Sequence, residues 1–223
     1  MKSPTFAALL LECAFLLSSC AAPEQNDVYY IHACGFDERN DRLIFTVLLE
    51  KSTSENQSSN TSGGEKSGIT GMTDSDKEAS PKYFTDSFDG ENIEKCAENF
   101  FEKYPDCYSG RNDVYLFSES LDRKNLYDIA VFIPSVPGLP AGSGAVCISS
   151  ISCSQLLKTV ADSENLDVLR FNKDNPKVNA VSFFAMCTSE NKKIAIPVLK
   201  YDKGDNIRFD GKAVYKNCAI VTG

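Results

Sequence analysis

The chain has 223 residues, with 23 Lys and Arg against 31 Asp and Glu, so its net charge is −8 at pH 7. That balance leaves no electrostatic footprint for nucleic acid, and no basic cluster is available for anionic lipid head groups. A single histidine excludes a zinc site built on several His ligands, and no Cys-x-x-Cys spacing supplies one from thiols.

The amino terminus comes first. Residues 5–17 read TFAALLLECAFLL, an apolar run interrupted by Glu12. A spanning helix needs about 20 mostly apolar residues, so this run is too short to cross. A basic residue at Lys2, a short apolar stretch and the small residues Ser18 and Ser19 have the layout of a signal peptide. The order Leu17-Ser18-Ser19-Cys20 resembles the lipobox of bacterial lipoproteins. That resemblance implies that residues 1–19 are removed, that Cys20 carries a diacylglyceryl anchor, and that residues 20–27 are a lipidated tether. The alternative is an ordinary signal cut near Ala22. Acyl chains contribute about 0.8 kcal/mol per buried CH₂, and two together anchor stably. The expected location is therefore a membrane surface, on its extracytoplasmic side.

Residues 28–36, VYYIHACGF, and 42–50, RLIFTVLLE, are rich in β-branched and aromatic side chains around the polar loop DERND, which predicts a β-hairpin. Residues 52–80 change character. Nineteen of these 29 are Ser, Thr, Gly, Asn or Gln, too few apolar groups to offset ordering entropy, so a disordered insertion is expected. Ile93, Ala97, Phe100 and Tyr104 then recur at helical spacing within 91–104, with Asp89 as cap and Pro105 as stop.

A strand is predicted over 113–119, a helix over 121–133 ended by Pro134, and a Pro/Gly loop to residue 144. Another strand is predicted at 145–151 and a weak helix at 152–161. Residues 177–187 are apolar and ambiguous between helix and strand. Residues 194–201 read as a strand whose Pro197 suits an edge or a bulge. Residues 207–222 give two strands around Asp210-Gly211, or one strand bent at Asn217. Helices and strands mix without strict alternation, so the expected fold is α+β, a mixed β-sheet with a few helices in a single domain over 28–223.

Chemistry is sparse. His32 lies inside a predicted strand and reads as a strand-face histidine before a catalytic base. Asp37 with Asp41, and Asp202 with Asp205, are carboxylates in predicted turns that could hold a cation weakly. Residues 141–145, AGSGA, only brush the nucleophile-elbow pattern. No catalytic residue, metal site or cofactor is expected. Once Cys13 leaves with the signal and Cys20 is acylated, seven cysteines remain, an odd number. Mostly reduced core thiols are expected, and Cys96 with Cys107 or Cys147 with Cys153 are the first pairs to test for bridging.

Several of these pieces, in order, resemble the C-subunit lipoproteins of spore germination receptors, the Ger(x)C family. They are the lipobox cysteine, the strand carrying Gly35-Phe36-Asp37 with its partner RLIFTVLLE, the helix at 91–104, the strand VYLFSE, and the closing Gly211-Lys212-Ala213-Val214-Tyr215-Lys216. The family's Gly-hydrophobic-Asp element is a turn, and the chain corresponds to the first region of a typical member. The resemblance implies a non-catalytic subunit on the outer face of the spore inner membrane, working with the membrane-embedded A and B receptor subunits. It assigns a role to Cys20 alone. A solute-binding lipoprotein is the alternative. A third reading, an enzyme acting on cell wall, would need a carboxylate pair, with Glu119 among the candidate acids.

Overall fold

The computed structural model describes residues 28–52, 82–108, 114–139, 144–171, 177–189, 192–202, 206–216 and 218–220. The expected signal, the tether and nearly all of the expected insertion lie outside these residues, as does Cys20.

The predicted hairpin forms from β1 (Val28–Arg39) and β2 (Arg42–Ser52). Its loop is shorter than expected. Asn40 and Asp41 alone make the turn, at φ 53° and 58°. Two successive left-handed residues match the right-handed twist of the flanking strands. The polar residues Asp37, Glu38 and Arg39 are therefore strand, and Gly35-Phe36-Asp37 is not a turn. Next comes β3 (Tyr83–Gly90), which pairs antiparallel with β2 and was not predicted.

Helix α1 (Ile93–Lys103) follows. Asn92, not Asp89, caps it, accepting from Lys95 N at 2.9 Å, while Asp89 pairs with Ile44 inside β3. The short β4 (Cys107–Tyr108) and β5 (Val114–Ser118) both run parallel to β1. Asp122 caps α2 (Arg123–Phe132), which passes into a 3₁₀ turn containing Pro134. Strand β6 (Ala145–Ser149) leads to α3 (Cys153–Asp162), a 3₁₀ turn at Leu166–Leu169 and α4 (Ala180–Cys187). The ambiguous segment is thus a helix.

Strand β7 (Lys193–Asp202) pairs with β8 (Asn206–Lys216), and β9 (Ala219–Ile220) closes the sheet. The register slips between Pro197 and Leu199, where Asp210 and Gly211 oppose one residue of β7. Gly211 takes φ 80° there, so β8 bends through Asp210-Gly211 without breaking. This is a bulge of the kind that tolerates a proline opposite.

Among the described residues the sheet order is β3-β2-β1-β5-β6-β7-β8-β9, with β4 beside the start of β1. Strands β1, β5, β6 and β7 are mutually parallel, and antiparallel strands flank them on both sides. The fold is α+β with one mixed sheet.

The sheet has a core on each face. On the first, Phe36 stacks between Phe45 and Phe117 at 5.3 Å to each, under Phe100 of α1, Ile129 of α2 and Phe183 of α4. On the second, Ala33, Leu116 and Cys147 pack under Leu156, Leu157 and Val160 of α3. Gly35 belongs to that second face. A Cβ on it would lie 2.7 Å from Cys153 Cβ and 3.1 Å from Leu157 Cδ1, so its bare backbone sets how closely α3 approaches β1.

Two substitutions test this arrangement. Gly35→Ala forces α3 outward and should lower unfolding free energy by about 1–3 kcal/mol, the usual range for overpacking. Asp37→Ala, which strips the cap of α3 described below, should cost about 2–4 kcal/mol. Urea unfolding followed by circular dichroism measures both. Losses under about 0.5 kcal/mol at either position would mean that α3 is positioned by something else.

Candidate functional site

The helix after β5 lies on the first face and the helix after β6 lies on the second. The chain therefore diverges between β5 and β6, and a crevice opens at their carboxyl ends. Open sheets of this kind bind ligands at such a divergence. Here the crevice is about 300 Å³, lined by Asp37 and Glu38 of β1, by Ser118 and Ser120 at the end of β5, and by Ser150 and Ser152 after β6.

Asp37 and Glu38 are adjacent in β1, so they point to opposite faces. Each reaches a different helix. Asp37 Oδ1 accepts from Cys153 N at 2.7 Å, and its Oδ2 accepts from Ser154 N at 3.0 Å and Ser152 Oγ at 3.3 Å. Glu38 Oε2 accepts from Asp122 N at 3.0 Å and Asn125 Nδ2 at 3.1 Å. Both helix amino termini, the places that attract phosphate in related architectures, are thus filled by the chain's own carboxylates. Ser118 and Ser120 share a hydrogen bond at 2.8 Å. The buried Ser149 hydroxyl has no partner.

Asp37 was read as half of a weak cation pair with Asp41. The structure separates them, because Asp37 is a buried strand residue already committed to three donors and Asp41 sits in the turn. Asp205 lies outside the described residues, as do residues 141–143. Among the described residues no group of three His, Cys, Asp or Glu side chains could hold a metal. Glu119 lies at the rim of the crevice.

His32 has a more particular setting. The β1–β2 register slips between Ile31 and Ala33, which makes His32 the bulged residue. The slip brings Ile31 and Cys34, three apart, to the same face, and bulges commonly re-aim a side chain in this way. His32 Nε2 donates to Glu50 Oε2 at 2.7 Å, with Lys82 3.9 Å from the other carboxylate oxygen. Tyr83 meets the ring edge-on at 5.4 Å. Beside it is a pocket of about 580 Å³ walled by Leu166, Leu169 and Phe171, with Arg170 and Lys177. Arg170 pairs with Asp167 at 3.1 Å. The buried His32 Nδ1 has no partner.

All seven described cysteines are free thiols, so neither Cys96 with Cys107 nor Cys147 with Cys153 is bridged. Burial pushes the Cys96 and Cys107 thiols up to about 11. Burial raises Cys34 and Cys147 further, and Cys153 feels both burial and the Asp37 carboxylate. These five include no thiol poised as a nucleophile, since the thiolate is the reactive form.

Among the described residues no helix is long and apolar enough to cross a membrane. Comparison with known proteins gives no match: no family model, no curated protein and no solved structure matches the chain.

The Ser149 hydroxyl, buried at the end of β6, is open to a direct check. Removing a buried hydroxyl that lacks a partner removes its desolvation penalty. Ser149→Ala should raise unfolding free energy by about 1 kcal/mol in urea titration. A loss of the same size would mean that the hydroxyl is bonded, for instance to a buried water.

Proposed function

We propose that this protein is a lipid-anchored, non-catalytic subunit of a spore nutrient germinant receptor, of the C type, held to the outer face of the inner membrane through Cys20. The observation that carries this reading is the sequence order of the elements. The strand with Gly35-Phe36-Asp37, its partner β2, helix α1, strand β5 and the closing β8 follow one another as in the family resemblance, and the four strands among them lie in one sheet.

The direction of β1 adds support. Val28 lies at the amino ends of the parallel strands, opposite the polar crevice. The eight residues from Cys20 to Asp27 span at most about 29 Å when fully extended. An anchor at Cys20 therefore keeps Val28, at the end of the sheet opposite the crevice, within that distance of the lipid. That suits a subunit that docks on membrane-embedded A and B partners. A non-catalytic role is supported by the use of Asp37 and Glu38 as helix caps and by the engagement of His32 with Glu50. The alternative, a solute-binding lipoprotein, draws on the pocket beside His32.

The test is detergent co-purification from dormant-spore inner membranes, with a tag at Gly223 and a Cys20→Ala variant alongside. The expected result is recovery of the A and B subunits, lost or reduced with the variant. Membrane association without those partners, or absence from spores, overturns the receptor reading and favours ligand screening at the His32 pocket.

A further inference from the structure

Two thiols from distant parts of the chain meet at one end of the first core. Cys187 is the last residue of α4, and Cys218 directly precedes β9. Cys218 Sγ donates to the Cys187 carbonyl oxygen at 3.4 Å, which puts the two residues in direct contact. Both are enclosed, at 6% and 3% exposure. Cys218 holds φ 57°, a left-handed backbone that a cysteine keeps only where its surroundings impose it. Cys96 and Cys153 make the same kind of bond, but to the carbonyls of Leu43 and Phe36 and not to that of another cysteine.

We propose that Cys187 and Cys218 form a disulfide that fastens α4 to the β8–β9 edge of the sheet. Its place of formation rests on the reading that the chain is exported, because such bonds persist in oxidising compartments. The pairing itself does not rest on that reading.

The chemistry is thiol–disulfide exchange with a small disulfide such as oxidised glutathione. The hydrogen bond from the Cys187 thiol holds Cys218 below the ordinary thiol range against the effect of burial, with the Arg123 charge helping. The same contact, and then burial, pushes Cys187 up. Cys218 therefore attacks first. Its thiolate bonds to one glutathione sulfur and displaces the other as glutathione. Cys187 then gives up its proton, bonds to Cys218 Sγ and displaces the second glutathione. Two electrons and two protons pass from the cysteine pair to oxidised glutathione, which becomes two reduced molecules.

The experiment uses the full chain purified in detergent under reducing conditions, then equilibrated with oxidised glutathione. Non-reducing peptide mapping should find Cys187 joined to Cys218. The midpoint of thermal unfolding should rise by about 5–10 °C, as expected for a cross-link closing a loop of this length in a domain of this size. Dithiothreitol should reverse both effects, and Cys218→Ser should abolish them. Mapping on the unsubstituted chain decides the question even if the variant fails to fold. Cys187 and Cys218 both found as free thiols after equilibration, or a bond joining Cys34 to Cys107 in place of this pair, overturns the proposal. Neither result depends on whether A and B subunits co-purify, so failure here is distinct from failure of the receptor reading.

Discussion

The carboxylate of Asp37, buried at 4% exposure, is the contact on which the placement of α3 over the sheet depends. It ties the first turn of α3 to β1 through two backbone amides and a hydroxyl. Burying a charge is costly unless it is hydrogen-bonded, and here the donors are the unsatisfied amides of a helix start, with the helix dipole favouring the anion. Two residues earlier, Gly35 removes the Cβ that would block the approach of α3. One residue later, Glu38 holds the start of α2 on the opposite face, through the amide of its capping residue Asp122 and the Asn125 side chain. The last turn of one strand thus positions a helix on each side of the sheet.

This arrangement has a chemical consequence. The divergence between β5 and β6 creates the place where open sheets hold ligands, yet its two strongest anion-attracting features are occupied from within the chain. Asp37 and Glu38 are committed to holding helices, and most of the thiols are raised by burial. The proposed role, that of a subunit working by contact, asks for a rigid body. It does not ask for a reactive pocket. The sheet, with both faces covered by helices, is suited to that demand.

The second organising feature is the bulge at His32. Without it, strict alternation along β1 would send Ile31 and Cys34 to opposite faces. With it, both join the first core, and His32 turns beside Glu50 and Tyr83. The one histidine of the chain is therefore placed by a register defect and not by a motif, so no spacing in the sequence marks it.

The sequence by itself determined the elements whose signal is local. The β1–β2 hairpin is legible because dense β-branched and aromatic runs flank polar residues, and α1 is legible because Ile93, Ala97 and Phe100 repeat at helical spacing. The α+β class follows from the irregular mixture of the two patterns. Tertiary structure decided what depends on distant partners. Strand β1 continues through Asp37 and Glu38 because those carboxylates meet helices that begin more than eighty residues later. Strand β3, YFTDSFDG, exists because β2 offers it an edge, and its own sequence carries too many acids to announce a strand. Helix α3 looked weak because half of its cap lies on β1, and the apolar α4 was ambiguous because packing, not periodicity, makes it a helix. The meeting of Cys187 with Cys218 belongs to the same class. Local propensity is written in neighbouring residues, whereas caps, registers and thiol pairs arise only when the sheet brings remote segments together.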